Sequence, residues 1–152
     1  MNRAQLLKRI DRAWTEFADS YAGLSESQMT DVPVTRTWSV KDLISHVTWW
    51  EEEALKYLPL IAEGERPPKY SAMYGGLDAF NALMTEERRK LSLAQVLARA
   101  AETHERLLAY VTQAPEGLFA TDTRWRRRLR VDTYSHYPIH GRAIREWRER
   151  GR

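Results

Sequence analysis

Apolar positions recur at three- and four-residue spacing along most of the chain, and four such stripes predict helices. Over residues 3–22, Leu6, Leu7, Ile10, Trp14, Phe17, Ala18 and Tyr21 are separated by Arg, Lys, Asp and Glu, which gives one apolar face. Gly23 closes that helix as a C-terminal cap would. Residues 24–38, with Ser25, Ser27, Thr30, Asp31, Pro33 and Thr37, carry loop chemistry with room for one short turn.

The second stripe opens at Ser39. Ser39-Val40-Lys41-Asp42 has the form of a capping box, with Trp38 ahead of it as a hydrophobic staple. Leu43, Ile44, Val47, Trp50, Ala54, Tyr57 and Ile61 carry this helix to Gly64, with Pro59 predicting a kink or an early end. Residues 65–77, containing Pro67, Pro68, Gly75 and Gly76, form the longest irregular connection. The third helix comes in two parts, Asp78–Lys90 and Leu93–Val111, the second opened by another capping box at Ser92-Leu93-Ala94-Gln95. Pro115 and Gly117 end it, residues 115–130 read as a loop, and a fourth helix is expected over 131–149. Several helices with no alternating strand pattern predict an all-α four-helix bundle.

Composition adds bounds to this picture. A chain of 152 residues with 43% hydrophobic and 30% charged residues suits one soluble domain, 1–152, with a real core. No apolar run approaches the roughly 20 residues of a membrane span, and the N-terminus lacks a signal-peptide layout. With no cysteine, disulfides and thiolate catalysis are excluded, and a transition-metal site must use His and carboxylates. The lack of cysteine also fits a reducing cytoplasm, the expected location. The formal charge is +3, with much of the excess in Arg124, Arg126, Arg127, Arg128 and Arg130. That run, with only Trp125 inside it, is not the basic face with interleaved aromatics that nucleic-acid recognition asks for, so no nucleic-acid partner is expected.

The chemistry centres on the four histidines. His136 and His140 stand four residues apart, the spacing that brings two side chains to one helix face and two imidazole nitrogens to one ion. Pro138 lies between them: either the helix kinks there, or it begins near Pro138 and leaves His136 on the preceding turn, which would spoil the spacing. His46 lies on a stripe with Asp42, Trp49, Trp50, Glu53 and Tyr57, aromatic and acidic enough for a pocket wall, though equally readable as core packing around a hydrogen-bonded histidine. His104, in Glu102-Thr103-His104-Glu105, falls off the leucine stripe and reads as a surface histidine.

The segment from Trp38 to Glu51, together with Asp78-Ala79-Phe80-Asn81 and Thr133-Tyr134-Ser135-His136-Tyr137-Pro138-Ile139-His140 leading to Ile144 and Trp147, resembles the DinB-like superfamily. More narrowly, it is similar to the ClbS/DfsB branch over nearly the whole chain. This resemblance implies an up-down-down-up four-helix bundle with a long connection between helices two and three. It also implies an open three-histidine site, with one ligand from helix two and two from the last helix, and those positions here are His46, His136 and His140. The implied cofactor is a divalent metal (Zn, Ni, Mn or Fe), and a homodimer is the oligomer the resemblance suggests.

Three neutral histidines leave positions on an ion open, the arrangement of catalytic sites. A base is then needed, for which Glu53 is the candidate, and Tyr137 could donate a hydrogen bond. The expected function is a metal-dependent small-molecule enzyme, a hydrolase or thiol transferase serving detoxification or self-protection. The alternative is a non-catalytic bundle that binds a ligand or metal.

Overall fold

The structure, a computed structural model, describes residues 1–151. They form helices α1 (Arg3–Ser20), α2 (Glu26–Thr30), α3 (Val40–Ala62), α4 (Tyr70–Tyr74), α5 (Leu77–Arg88), α6 (Leu93–Gln113), α7 (Arg124–Asp132) and α8 (Tyr137–Arg150), with a 3₁₀ turn at Glu116–Leu118. Among the described residues there is no strand, only an isolated bridge between Pro33 and Ser39. None of the described helices is long and apolar enough to cross a membrane.

Both predicted capping boxes form. Ser39 caps the Asp42 amide while the Asp42 carboxylate takes the Ser39 amide, and Ser92 and Gln95 do the same for α6. These exchanges satisfy amide groups that a helix start otherwise leaves unpaired.

The directions of the four long elements follow from their contacts. Near the start of α1, the Arg3 guanidinium reaches the Ala114 carbonyl just past the end of α6, and further along Trp14 stacks on His104, so α1 and α6 are antiparallel. Arg89 binds Asp42 and Arg99 binds Glu52, so α3 and α6 run parallel. Arg145 reaches the Glu16 carbonyl and Arg148 the Ser20 carbonyl, which makes α8 parallel to α1. The result is up-down-down-up, with the crossing between the two parallel middle helices made by residues 63–92. One continuous core fills the centre, including Leu6, Ile10, Phe17, Leu43, Ile44, Leu107 and Ile144.

Four sequence expectations are narrowed or corrected. Of the two outcomes expected at Pro59, the early end does not occur, for α3 runs on to Ala62. The connection predicted as irregular over 65–77 holds the short helix α4, and α5 starts at Leu77. Residues 115–130 are not loop throughout: α7 occupies Arg124–Asp132, and its only fully buried apolar anchors are Trp125 and Leu129, too few to show as a stripe among the arginines. The last helix does not start at 131 but at Tyr137, after a break at Thr133 (φ −129°, ψ −104°). Pro138 fits there because the first turn of a helix has no intrahelical partner for its amide, so the missing N–H costs nothing.

Candidate metal centre and adjoining cavity

His46 is supplied by the middle of α3. His140 comes from the first turn of α8, and His136 from the cap residue just before that helix. His136 holds a helical conformation (φ −94°, ψ −49°) although it precedes the helix. Its amide donates to the Thr133 carbonyl at 2.8 Å, and its own carbonyl accepts from the Ile139 amide at 3.2 Å. The turn is thus already wound when Pro138 arrives, and the four-residue spacing survives. The three rings converge: Nε2 of His136 lies 3.1 Å from Nε2 of His46 and 3.0 Å from Nε2 of His140, and one nitrogen from each histidine falls within 4.8 Å of the others.

Those distances suit a shared cation. Nitrogens roughly 2.0–2.1 Å from one ion stand about 3.3 Å apart at tetrahedral angles and about 2.9 Å apart at right angles. Burial lowers all three pKa values: His46 to about 2, with the neighbouring His140 and His136 adding repulsion, His136 to about 3, again with His140 adding, and His140 to about 4. All three imidazoles are therefore neutral near pH 7, the form whose lone pairs bind metal. Three neutral lone pairs at 3 Å are an unfavourable grouping unless a proton or a cation lies among them, so the donor set fits a divalent ion.

Aromatic rings wall the centre. Trp38 lies 4.6 Å from the His46 ring and Trp49 meets it edge-on at 4.9 Å. The indole N–H groups of Trp49 and Trp50 both donate to the Asn81 side-chain oxygen, at 3.2 and 3.1 Å. Nδ1 of His46 and of His136 is buried without a protein partner among the described residues.

Glu53 is not gathered into the histidine cluster. Its carboxylate accepts from the Tyr70 hydroxyl at 2.9 Å, and that hydroxyl accepts from Arg128 at 3.0 Å. Arg128 also donates to Asp132 at 2.6 Å. Burial raises the Asp132 carboxyl to about 6, outweighing the downward pull of Arg128. Trp50, Tyr70, Leu77 and Val131 wall a cavity of about 260 Å³, with Arg128, Asp132 and His136 completing it.

Tyr137 faces the opposite side of the break. It is fully buried, and its hydroxyl donates to Glu51 at 2.8 Å. The same Glu51 oxygen lies 2.7 Å from Nδ1 of His104. The surface expectation for His104 is therefore corrected: it is 5% exposed, stacked 3.8 Å from Trp14 and paired with a carboxylate that solvent does not reach. No wheel of α6 alone could show this, since the partners come from α1, α3 and α8. The Tyr70–Arg128–Asp132 chain was missed for a similar reason: α7 carried no readable stripe, so nothing aligned Arg128 with Glu53.

Fold and site together describe an all-helical bundle with a three-histidine cluster, His46 buried and His136 and His140 half-buried, between its second and last long helices. The profile of the DinB superfamily matches residues 9–137, and the chain belongs to that superfamily. Solved structures agree in fold. The sibling lethal factor precursor DfsB superposes with a TM-score of 0.82 at 17% identity, covering 100% of this chain and 98% of its own. The colibactin self-resistance protein ClbS in complex with a dsDNA gives 0.80 at 18% identity, with 97% and 96% covered. A protein from Streptococcus pneumoniae gives 0.80 at 17%, with 98% and 91% covered. No curated protein matches the sequence.

Proposed function

We propose that this protein is a metal-dependent enzyme acting on a small molecule, a hydrolase or a thiol transferase with a detoxifying or self-protecting role. The observation that carries the reading is the approach of His136 Nε2 to within 3.0–3.1 Å of Nε2 of both His46 and His140. These three side chains would hold a divalent ion such as zinc, nickel, manganese or iron, which when bound supplies Lewis acidity. The chain's own groups do the rest. Trp38 and Trp49 exclude water from the His46 ring. Glu53 is the proton acceptor in this reading, oriented by the Tyr70 hydroxyl. Tyr137 acts as a positioning residue for His136 through its bond to Glu51.

Elemental analysis of protein purified without added ions is the test. Near-stoichiometric metal is expected, falling about tenfold or more in His46→Ala and in His140→Ala. Full occupancy in either variant refutes the site. Turnover of an electrophile only with a low-molecular-weight thiol selects transferase over hydrolase, and metal bound without turnover of any electrophile or ester selects the non-catalytic alternative.

Duplex DNA is the competing partner class, because ClbS was solved with it. We keep nucleic acid outside the reading because of where α7 points its side chains. Trp125 is buried with its indole N–H donated to Tyr110, so it offers no stacking surface, and Arg128 turns inward to Asp132. Binding of a DNA duplex that weakens steeply between about 50 and 200 mM salt would overturn this exclusion.

A further inference from the structure

The cavity beside His136 has a chemistry of its own. Its aromatic wall is fixed in advance: Trp50 packs on Tyr70 at 5.4 Å and on Phe80 at 5.3 Å, Tyr70 packs on Phe80 at 5.0 Å, and Asn81 holds the Trp50 indole. Rings held by partners outside the cavity lose little freedom when a ligand enters, which favours binding of a flat molecule. Across from them, Leu77 and Val131 are 54% and 56% exposed. Two large apolar side chains left at the rim of a cavity are surface that a ligand can cover.

Charge narrows the ligand further. The lining cation, Arg128, is already engaged by Asp132 at 2.6 Å and by the Tyr70 hydroxyl at 3.0 Å, and its guanidinium lies over the Tyr57 ring at 5.4 Å. The second carboxylate, Glu53, is taken by Tyr70. The two charged groups of the wall, Arg128 and Asp132, thus satisfy each other, and Glu53 behind them also interacts with the Lys56 ammonium. An incoming anion or cation would have to break a bond between wall groups already satisfied, whereas an uncharged ligand would not. At about 260 Å³ the space lies below the roughly 300–1,000 Å³ of drug-sized sites.

We propose that this cavity is the substrate pocket of the histidine centre and that it takes a small, flat, uncharged and mainly apolar molecule, with one polar atom turned toward His136. The assignment rests on the metal reading above, while the choice of ligand chemistry rests on the cavity walls alone.

The test uses three probes of one shape: 2-naphthylmethanol, 2-naphthoate and 2-naphthylmethylammonium. Calorimetric titration into the full-length protein is expected to show the neutral alcohol binding at least tenfold more tightly than either ion. Tightest binding by a charged probe overturns the ligand chemistry. The double variant Leu77→Glu with Val131→Glu alters only exposed rim positions and should weaken the alcohol at least tenfold with unchanged helical circular dichroism; retained affinity in the folded variant overturns the location. Proton spectra of the alcohol with cobalt-loaded and zinc-loaded protein then link cavity to centre. Selective broadening by cobalt is expected. Bound alcohol that cobalt leaves sharp overturns the cavity assignment alone, whereas failure to take up cobalt overturns the metal reading together with the pocket's role in it.

Discussion

Tyr137→Phe isolates one hydrogen bond in a place where little else can change. The ring is fully buried and packs edge-on against Trp14 at 5.3 Å, and phenylalanine keeps that packing while deleting the hydroxyl. What is lost is the 2.8 Å bond to Glu51, whose other oxygen is already buried without a partner. A buried acceptor left with no donor costs about 1–3 kcal/mol; because Nδ1 of His104 stays on the same oxygen, we expect about 1.5 kcal/mol. Burial raises the Glu51 carboxyl, with His104 and Tyr137 pulling back, so removing the phenol should raise it further. Urea unfolding at neutral pH measures the loss, with an unchanged m-value marking an intact two-state transition. A cycle with Glu51→Gln should show a coupling of at least 1 kcal/mol, since the two side chains touch. Because Tyr137 follows His136 directly, metal affinity should also drop, by roughly 10–100-fold as for other groups that orient a ligand. A loss under about 0.5 kcal/mol, or additivity in the cycle with metal affinity unchanged, would refute the claim that this bond positions His136.

Two carboxylates, Asp132 buried and Glu52 half-buried, should respond to pH in opposite directions. Asp132, raised from 3.8 to about 6, favours folding when protonated. Its contribution is complete below its unfolded pKa and is lost as pH climbs through 6, by roughly 3 kcal/mol at most. Asp132→Asn should therefore gain on the wild type between pH 4 and pH 7 in urea midpoints, and a parallel pair of curves would contradict the raised pKa. Glu52 is lowered: burial alone would raise it, but hydrogen bonds and charge from Arg99 and Arg88 prevail. Its stabilisation is present above its unfolded pKa of about 4.5 and fades as pH falls through the depressed folded value, so Glu52→Gln should cost most at pH 7 and least under acid conditions. Ser39→Ala removes the α3 cap and should cost about 1 kcal/mol by thermal unfolding; a Tm shift within error would mean that the Asp42–Arg89 pair alone fixes the helix start.

Much of the bundle was legible because its long helices obey local rules. The stripes of α1, α3 and α6 and the boxes at Ser39 and Ser92 are statements about residues within one or two turns of each other, and burial simply follows them. The end of the chain broke the pattern because α7 is held by Trp125 and Leu129 while its arginines face varied surroundings. The histidines needed more than spacing. His136 and His140 could be paired from four-residue periodicity, but His46 joined them only through family resemblance, since ninety residues separate it from His136. His104 was misread because its burial is created by Trp14 and Glu51 on other helices, and the Glu53–Tyr70–Arg128–Asp132 chain crosses three elements for the same reason.

The break between α7 and α8 gives the protein an uneven tolerance to change. His136 belongs to the cap and His140 to the helix, and both are phased to His46 through the four residues between Asp132 and Tyr137. Adding or removing one residue there would swing α8 about 100° around its axis, carrying His140 off the cluster and Ile144 out of the core together. Drift in the identity of Tyr134 or Ser135 leaves that phase untouched. Length in this short stretch is therefore the quantity held fixed, and a relative with a single-residue insertion there would have to keep its bundle and its histidine centre by some other means, or give up one of them.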